Sequence, residues 1–313
     1  MKIIKPKFWN YKKPNLIAYF LLPFTVPIII NNFLLKFKSN KEKKIKSICV
    51  GNIYLGGTGK TPTTIKIYDI LKELKFDVVT AKKFYLSQSD ENFILEKKTN
   101  LIKGKKRIGI LKKAIKHNKN IVIFDDGLQD KGISYDLEIV CFESENFIGN
   151  GCLLPAGPLR EKITSLKKYD AVFFKSESKI PNENLDLIKK CNSDIEIFQT
   201  YLEIKDLKKF DLKKKYLIFS GIGNPISFRN ILIKNNFNIS KEIVFPDHFN
   251  YEKKHIENII EQAKNIGANI VTTEKDFVKI SKLGFKNIDF VEVMLNIKDE
   301  NHFKNFLKEK INE

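Results

Sequence analysis

Cysteine is scarce in this 313-residue chain: Cys49, Cys141, Cys152 and Cys191 lie far apart, and no two form a Cys-x-x-Cys pair. That spacing excludes a zinc ribbon and argues against a disulfide framework, so a reduced, cytosolic compartment is expected. Cys49 and Cys141 sit inside apolar runs and read as small buried side chains. Arginine is scarcer still. Of 56 basic residues only Arg107, Arg160 and Arg229 are arginines, and against 37 acidic residues the formal net charge is +19. Basicity carried almost wholly by lysine, in a chain rich in asparagine and isoleucine, fits a biased genome composition as readily as a polyanion partner. With no arginine or aromatic cluster of a known module present, no nucleic-acid partner is expected. A long apolar run is missing as well. A spanning helix needs about 20 apolar residues, whereas Leu16–Ile30 is shorter, is interrupted by Pro23 and Pro27, and is followed by Asn31 and Asn32. No small-x-small cleavage site follows Ile30, which argues against a signal peptide. No internal repeat and no low-complexity tract beyond lysine-rich patches is present. The chain is 42% hydrophobic and 12% aromatic, enough for a buried core, and its length allows two domains of ordinary size.

What is present begins at the N-terminus. Lys2, Lys5, Lys7, Lys12 and Lys13 precede the apolar stretch, Trp9 and Tyr11 stand at its edge, and Lys36, Lys38, Lys41, Lys43 and Lys44 follow it. An apolar body with aromatic and lysine flanks predicts a segment lying in a membrane interface against anionic head groups. After Lys44 apolar, β-rich runs appear at 45–50, 77–80, 120–124, 137–142 and 171–175, with helical stretches at 61–74 and 105–117. Such alternation predicts an α/β core with a parallel sheet covered on both faces. A second alternating set runs over 216–219, 226–234, 242–245, 251–265, 270–273 and 300–311. It is bracketed by the apolar segments 196–204 and 288–297, which read as a two-stranded linker into and out of a smaller α/β lobe. The expected organisation is an interfacial segment and basic flank (1–44), a phosphate-binding core (45–195), linker strands with the second lobe (196–297), and a C-terminal helix (298–313).

The strongest local signal runs from Ile48 to Thr61, an apolar strand, a glycine-rich loop, then Gly59-Lys60-Thr61 opening a helix: a P-loop. Gly56, Gly57 and Gly59, with Thr58 between them, let backbone N–H groups turn inward around phosphate oxygens. The helix N-terminus adds partial positive charge, Lys60 reaches the β- and γ-phosphates, and the Thr61 hydroxyl is suited to Mg²⁺. Pro62 falls in the first helical turn, where its missing N–H costs nothing. The strict pattern asks for glycine where this chain has Tyr54. A P-loop needs a carboxylate at the end of a neighbouring strand, and Asp125 and Asp126 end the apolar run 120–124. No Asn-Lys-x-Asp guanine signature appears, and Thr273-Glu274-Lys275-Asp276 has the wrong spacing, so ATP is the expected nucleotide.

Here the chain resembles the tetraacyldisaccharide 4'-kinases, the lipid A 4'-kinases of Gram-negative bacteria. The resemblance runs through Pro6-Lys7-Phe8-Trp9, Val50-Gly51-Asn52, the P-loop, Asp125-Asp126-Gly127-Leu128-Gln129, Asp136 to Val140 and Gly149-Asn150-Gly151. It continues through Leu154-Pro155-Ala156-Gly157-Pro158-Leu159-Arg160-Glu161, Gly221 to Pro225, Phe245-Pro246-Asp247-His248 and Thr272 to Asp276. It implies transfer of the ATP γ-phosphate to the 4'-hydroxyl of a tetraacyldisaccharide 1-phosphate, a lipid A precursor, with Mg²⁺. The place implied is the cytoplasmic face of the bacterial inner membrane, held peripherally or monotopically, with the site in a cleft between two lobes. It also implies that Asp90, in Ser89-Asp90-Glu91, and His248, one in each lobe, act as a pair to take the hydroxyl proton. The sequence departs from the family at Asp130, where histidine is usual, and at Ala81-Lys82-Lys83-Phe84-Tyr85, which replaces a Ser-Arg-Gly-Tyr segment. In the implied mechanism Lys60 holds the phosphates and Thr61 binds Mg²⁺ with Asp125 or Asp126. Glu161 completes the metal or water shell, and Arg160, whose guanidinium is conspicuous in a lysine chain, stabilises charge on the transferring group. Two rival readings are another P-loop ATPase or ligase and a basic nucleic-acid adaptor.

Overall fold

The computed structural model describes residues 5–34, 44–83, 89–130 and 132–312, the side chains of Ser89 and Asp90 excepted. The expected lysine flank at 36–43 and Phe84-Tyr85 lie outside the described residues. The chain divides into two compact units, one of residues 1–84, 98–201 and 295–313 and the other of 85–97 and 202–294.

The first unit holds an eight-stranded sheet. Its strands are β1 (Lys46–Gly51), β2 (Val78–Lys83), β3 (Leu101–Gly104), β4 (Ile121–Asp125), β5 (Leu137–Glu143), β6 (Ala171–Lys175), β7 (Glu196–Ile204) and β12 (Val293–Ile297), in the order β12-β7-β6-β5-β1-β4-β2-β3. The pairs from β3 across to β7 are parallel. Runs such as Ile121-Val122-Ile123-Phe124 are buried on both faces, as expected of parallel strands covered by helices. Those helices include α3 (Lys60–Glu73), α5 (Arg107–Lys116), α6 (Asn182–Cys191) and α10 (Glu300–Asn312). The expected C-terminal helix is not a separate appendage: Phe303 of α10 packs on Phe173 and Phe198, ring centroids 4.9 Å apart in each case. β7 and β12 are hydrogen-bonded neighbours, as a two-stranded linker requires, with Lys298 N donating to Gln199 O at 2.9 Å.

One register matters for chemistry. β1 lies between β4 and β5, and Val50 pairs with Asp125. The P-loop leaving β1 therefore starts beside the carboxylate that ends β4.

The N-terminal segment differs from expectation. α1 (Leu16–Leu21), a 3-10 turn at Leu22–Thr25 containing Pro23, and α2 (Val26–Leu34) follow one another directly. The run of 19 residues passes through Asn31 and Asn32 and is long and apolar enough to cross a membrane by length and composition. Ala18, Thr25, Ile28 and Asn32 recur at helical spacing on its inner face, whereas Leu16, Phe20 and Phe24 are 86%, 76% and 60% exposed.

The second unit has a parallel four-stranded sheet in the order β11-β10-β8-β9: β8 (Lys215–Ser220), β9 (Asn238–Val244), β10 (Asn269–Thr273) and β11 (Asp289–Val291). Tyr216 and Ile218 of β8 enter one apolar cluster and Leu217 and Phe219 the other, so both faces are covered. Its helices are α4 (Ser89–Lys98), α7 (Pro225–Lys234), α8 (Lys253–Asn265) and α9 (Glu274–Ser281). Residues 85–97, expected inside the core 45–195, thus group with the second unit. Asp90 and His248 belong to the same unit, not one to each.

Candidate active site

The loop from Gly51 to Lys60 is built as its glycines suggest. Gly59 has φ +79° and Gly56 φ +138°, both in the region that favours glycine, and α3 starts at Lys60 immediately after. Asn52, fully buried, staples the loop: its Nδ2 donates to Gly56 O at 3.1 Å and to Thr58 Oγ1 at 3.0 Å. Tyr54 leaves the loop rather than filling it. Its ring is buried with Leu153 and Leu159, its hydroxyl donates to Asn10 Oδ1 at 3.1 Å, and the Lys5 ammonium lies 5.1 Å from the ring centroid. Burial, with Glu143 nearby, pushes the phenol up to about 12, so it remains a donor. A residue other than glycine is tolerated at 54 because its side chain points out of the phosphate cradle.

Five of the expected residues, Lys60, Thr61, Asp125, Asp126 and Arg160, meet at the ends of β1 and β4. Thr61 Oγ1 donates to Asp125 Oδ2 at 3.0 Å, and the buried Lys82 ammonium donates to the same oxygen at 2.6 Å. Asp125 Oδ1 is buried with no hydrogen-bond partner among the described residues. The Asp126 carboxylate stands between the two expected phosphate-binding cations, Lys60 Nζ at 3.9 Å and Arg160 Nη1 at 3.5 Å. Burial pushes its carboxyl up, but Lys60, Arg160, Lys82 and Arg107 outweigh burial and hold it below the usual carboxylate range. Lys82 thus supplies a cation within the segment where the sequence departs from the family's arginine.

Glu161 is placed differently from expectation. It is 1% exposed, and both its oxygens already accept: Oε1 from Tyr169 and Gln129, each at 2.8 Å, and Oε2 from Lys168 at 2.6 Å. A carboxylate so occupied fits an orienting role beside the metal site better than direct ligation. It steadies Gln129, whose Nε2 also reaches Asn52 O at 3.0 Å. Sequence reasoning missed a second clamp. Arg107 donates to the carbonyl of Asp126 and to the carboxylate of Asp130, fixing the turn in which Asp126 takes φ +64°. Asp130 replaces the family's usual histidine and here has a partner.

In the second unit His248 sits at φ +56°, its N–H donating to Gly221 O at 3.2 Å and Asp247 Oδ1 at 2.9 Å. Its Nε2 lies 3.4 Å from Lys275 Nζ, which also reaches Glu91 at 3.2 Å and Asp247 at 3.6 Å. Lys275 thus links α4 to the loop of His248. Asp90 lies in the first turn of α4, and its side chain is outside the described residues, as therefore is its expected contact with His248.

Comparison with known proteins follows the same lines. A family model described as Tetraacyldisaccharide-1-P 4'-kinase matches residues 17–312. A tetraacyldisaccharide 4'-kinase of Pelagibacter ubique (strain HTCC1062) is 44% identical over 316 residues, covering 100% of this chain and 99% of the relative. One of Rickettsia akari (strain Hartford) is 34% identical over 334 residues, covering 99% and 97%. The fold is similar to that of LpxK from Aquifex aeolicus, solved by crystallography in complex with ATP: TM-score 0.68 and 21% identity, covering 95% of this chain and 100% of that one.

Proposed function

The chain belongs to the tetraacyldisaccharide 4'-kinase family, and on that premise we propose how its own residues transfer the ATP γ-phosphate to the 4'-hydroxyl of a tetraacyldisaccharide 1-phosphate in lipid A synthesis. The observation that carries the reading is the convergence of Thr61 on Asp125, beside Lys60 and Arg160 on either side of Asp126. Phosphoryl transfer asks little covalent work of a protein; it asks for positioning and for charge where charge develops. The P-loop amides and Lys60 hold the β- and γ-phosphates, and Arg160 stabilises the transferring group with a planar, permanently charged fork. The donor set suits Mg²⁺, a hard ion bound through oxygen: the carboxylate whose Oδ2 accepts from the Thr61 hydroxyl has its other oxygen, the buried Asp125 Oδ1, without a partner among the described residues. Thr61 and Asp125 would hold the ion directly, Asp126 would join them, and Glu161 would orient the surrounding groups. When bound, Mg²⁺ neutralises charge on the phosphate oxygens. Asp90 and His248 act as a pair on the 4'-hydroxyl proton, the carboxylate fixing the tautomer and aim of the imidazole.

The exposed apolar face of 16–34 supports residence at a membrane surface, on the cytoplasmic side of the inner membrane, where the lipid precursor and the lysine-rich charge meet. The charge serves that anionic surface and not nucleic acid. The test is incubation with γ-labelled ATP, Mg²⁺ and the disaccharide 1-phosphate in mixed micelles. Label on the lipid is expected. Label released only as free phosphate would favour a plain ATPase and overturn the reading.

A further inference from the structure

We propose that the N-terminal segment is a buttress of the loop that carries Arg160, with Trp9 and Asn32 as positioning residues, and is not only a membrane anchor. The proposal rests on the role given above to Arg160. Both backbone groups of Arg160 are tied, and to different parts of the unit. Its N–H donates to Ile53 O at 2.7 Å, at the start of the P-loop, and its carbonyl accepts from Asn32 Nδ2 at 2.8 Å, on the membrane-facing helix. The peptide units that set the direction of the Arg160 side chain are therefore pinned from one side by the nucleotide loop and from the other by the N-terminal segment.

The rest of the loop is held in the same way. The Trp9 indole, 3% exposed, donates to Pro155 O at 3.0 Å, and the Trp9 carbonyl accepts from Asn150 N at 2.9 Å. Asn150 passes the contact on, its Nδ2 donating to Ala156 O at 3.0 Å. The approach is so close that a Cβ at Gly149 would lie 2.2 Å from the Trp9 carbonyl oxygen, at φ +57°, which accounts for the glycine there. Leu55 N donates to Pro158 O at 2.8 Å, and Ile28 packs on Tyr54, Leu153 and Leu159. The segment thus has two faces with two duties: Leu16, Phe20 and Phe24 face outward, while Trp9, Ile28 and Asn32 face the loop.

An anchor and a buttress differ in what a polar substitution does. Asn32→Ala and Trp9→Phe each remove one hydrogen bond to the loop and leave the outer apolar face intact. Each is expected to lower kcat roughly 5- to 20-fold, the scale of one lost hydrogen bond in a positioned site. The KM for ATP should stay within about twofold, because the P-loop cradle is untouched. Sedimentation with vesicles of phosphatidylethanolamine and phosphatidylglycerol should match wild type, and both variants should remain folded at the assay temperature despite a melting temperature lowered by a few degrees. Asn32→Gln, which keeps the amide donor, should recover part of the loss. In an Arg160→Ala background, Asn32→Ala should add little, since the two act as one unit. Unchanged kcat in both single variants, or a kcat loss that tracks vesicle binding, would overturn the buttress. So would a full further loss in the Arg160→Ala background. Full activity of Arg160→Ala by itself would instead remove the role of Arg160 and the proposal with it, an outcome read separately from the others.

Discussion

Replacing Asp130 by Asn removes the charge that faces Arg107 while keeping the side chain's shape. Arg107 is 10% exposed and Asp130 23% exposed in their ion pair, and Arg107 Nε is buried with no hydrogen-bond partner among the described residues. A hydrogen bond between charged groups contributes about 1.5–3 kcal/mol, and the partial exposure of Asp130 places this one near about 2 kcal/mol. At roughly 2–4 °C per kcal/mol for a unit of this size, calorimetry at neutral pH should show a melting temperature lower by about 4–8 °C. The pH dependence is a stricter check. Burial pushes the Asp130 carboxyl up, but the Gly132 amide and the Arg107 guanidinium outweigh it and hold the group below its usual range. A depressed folded-state value means stability that is present above the unfolded value, about 3.9, and lost as pH falls through the folded one. The wild-type advantage over Asp130→Asn should therefore be flat between about pH 8 and about pH 5 and should shrink on further acidification. Equal melting temperatures at neutral pH would refute the clamp, and so would an advantage that persists undiminished in acid.

Asp90→Asn and His248→Ala should each lower kcat by roughly 10²- to 10⁴-fold, with the double variant little worse than either, measured in steady state; two multiplicative losses would refute a pair. Lys82→Met leaves Asp125 as an uncompensated buried charge, their side chains being 4% and 0% exposed, and should cost about 3–5 kcal/mol in urea unfolding. A loss under about 1 kcal/mol would mean that the pair is dispensable. Changing Leu16, Phe20 and Phe24 together to Ser should abolish sedimentation with anionic vesicles without lowering the melting temperature, because all three are exposed. Retained sedimentation would disprove the interfacial reading.

The nucleotide half of the site was legible because its determinants are local. A strand, a run of glycines and Lys60-Thr61 lie within one stretch, and the apolar strand ending in Asp125 is equally compact. The clamps were not legible. Arg107, Asp130 and Lys82 lie on separate segments, and only the sheet order brings them to the same strand ends. Glu161 looked like a metal ligand because its neighbours in sequence do not reveal that Gln129, Tyr169 and Lys168 occupy its oxygens. β3 has four half-buried residues, too few for a period, and α4 mixes charged and apolar residues without a clear stripe, so neither stood out. Asp90 was expected in the core because the excursion of 85–97 into the second unit leaves no mark in composition. Asn31 and Asn32 looked like the end of the apolar segment, whereas the helix continues through them and Asn32 finds a partner in the Arg160 carbonyl.

The central claim is that Lys60, the first residue of α3 where the loop from β1 ends, directs the γ-phosphate to one hydroxyl of a disaccharide lipid. Mass spectrometry and phosphorus NMR of the product, from wild type and from Lys60→Ala side by side, test it most directly. Wild type should yield a bis-phosphorylated lipid with the new phosphate at the 4'-position. Lys60→Ala, shown to be folded by its circular dichroism, should yield none. Phosphate at another position, or full product from a folded Lys60→Ala protein, would contradict the account.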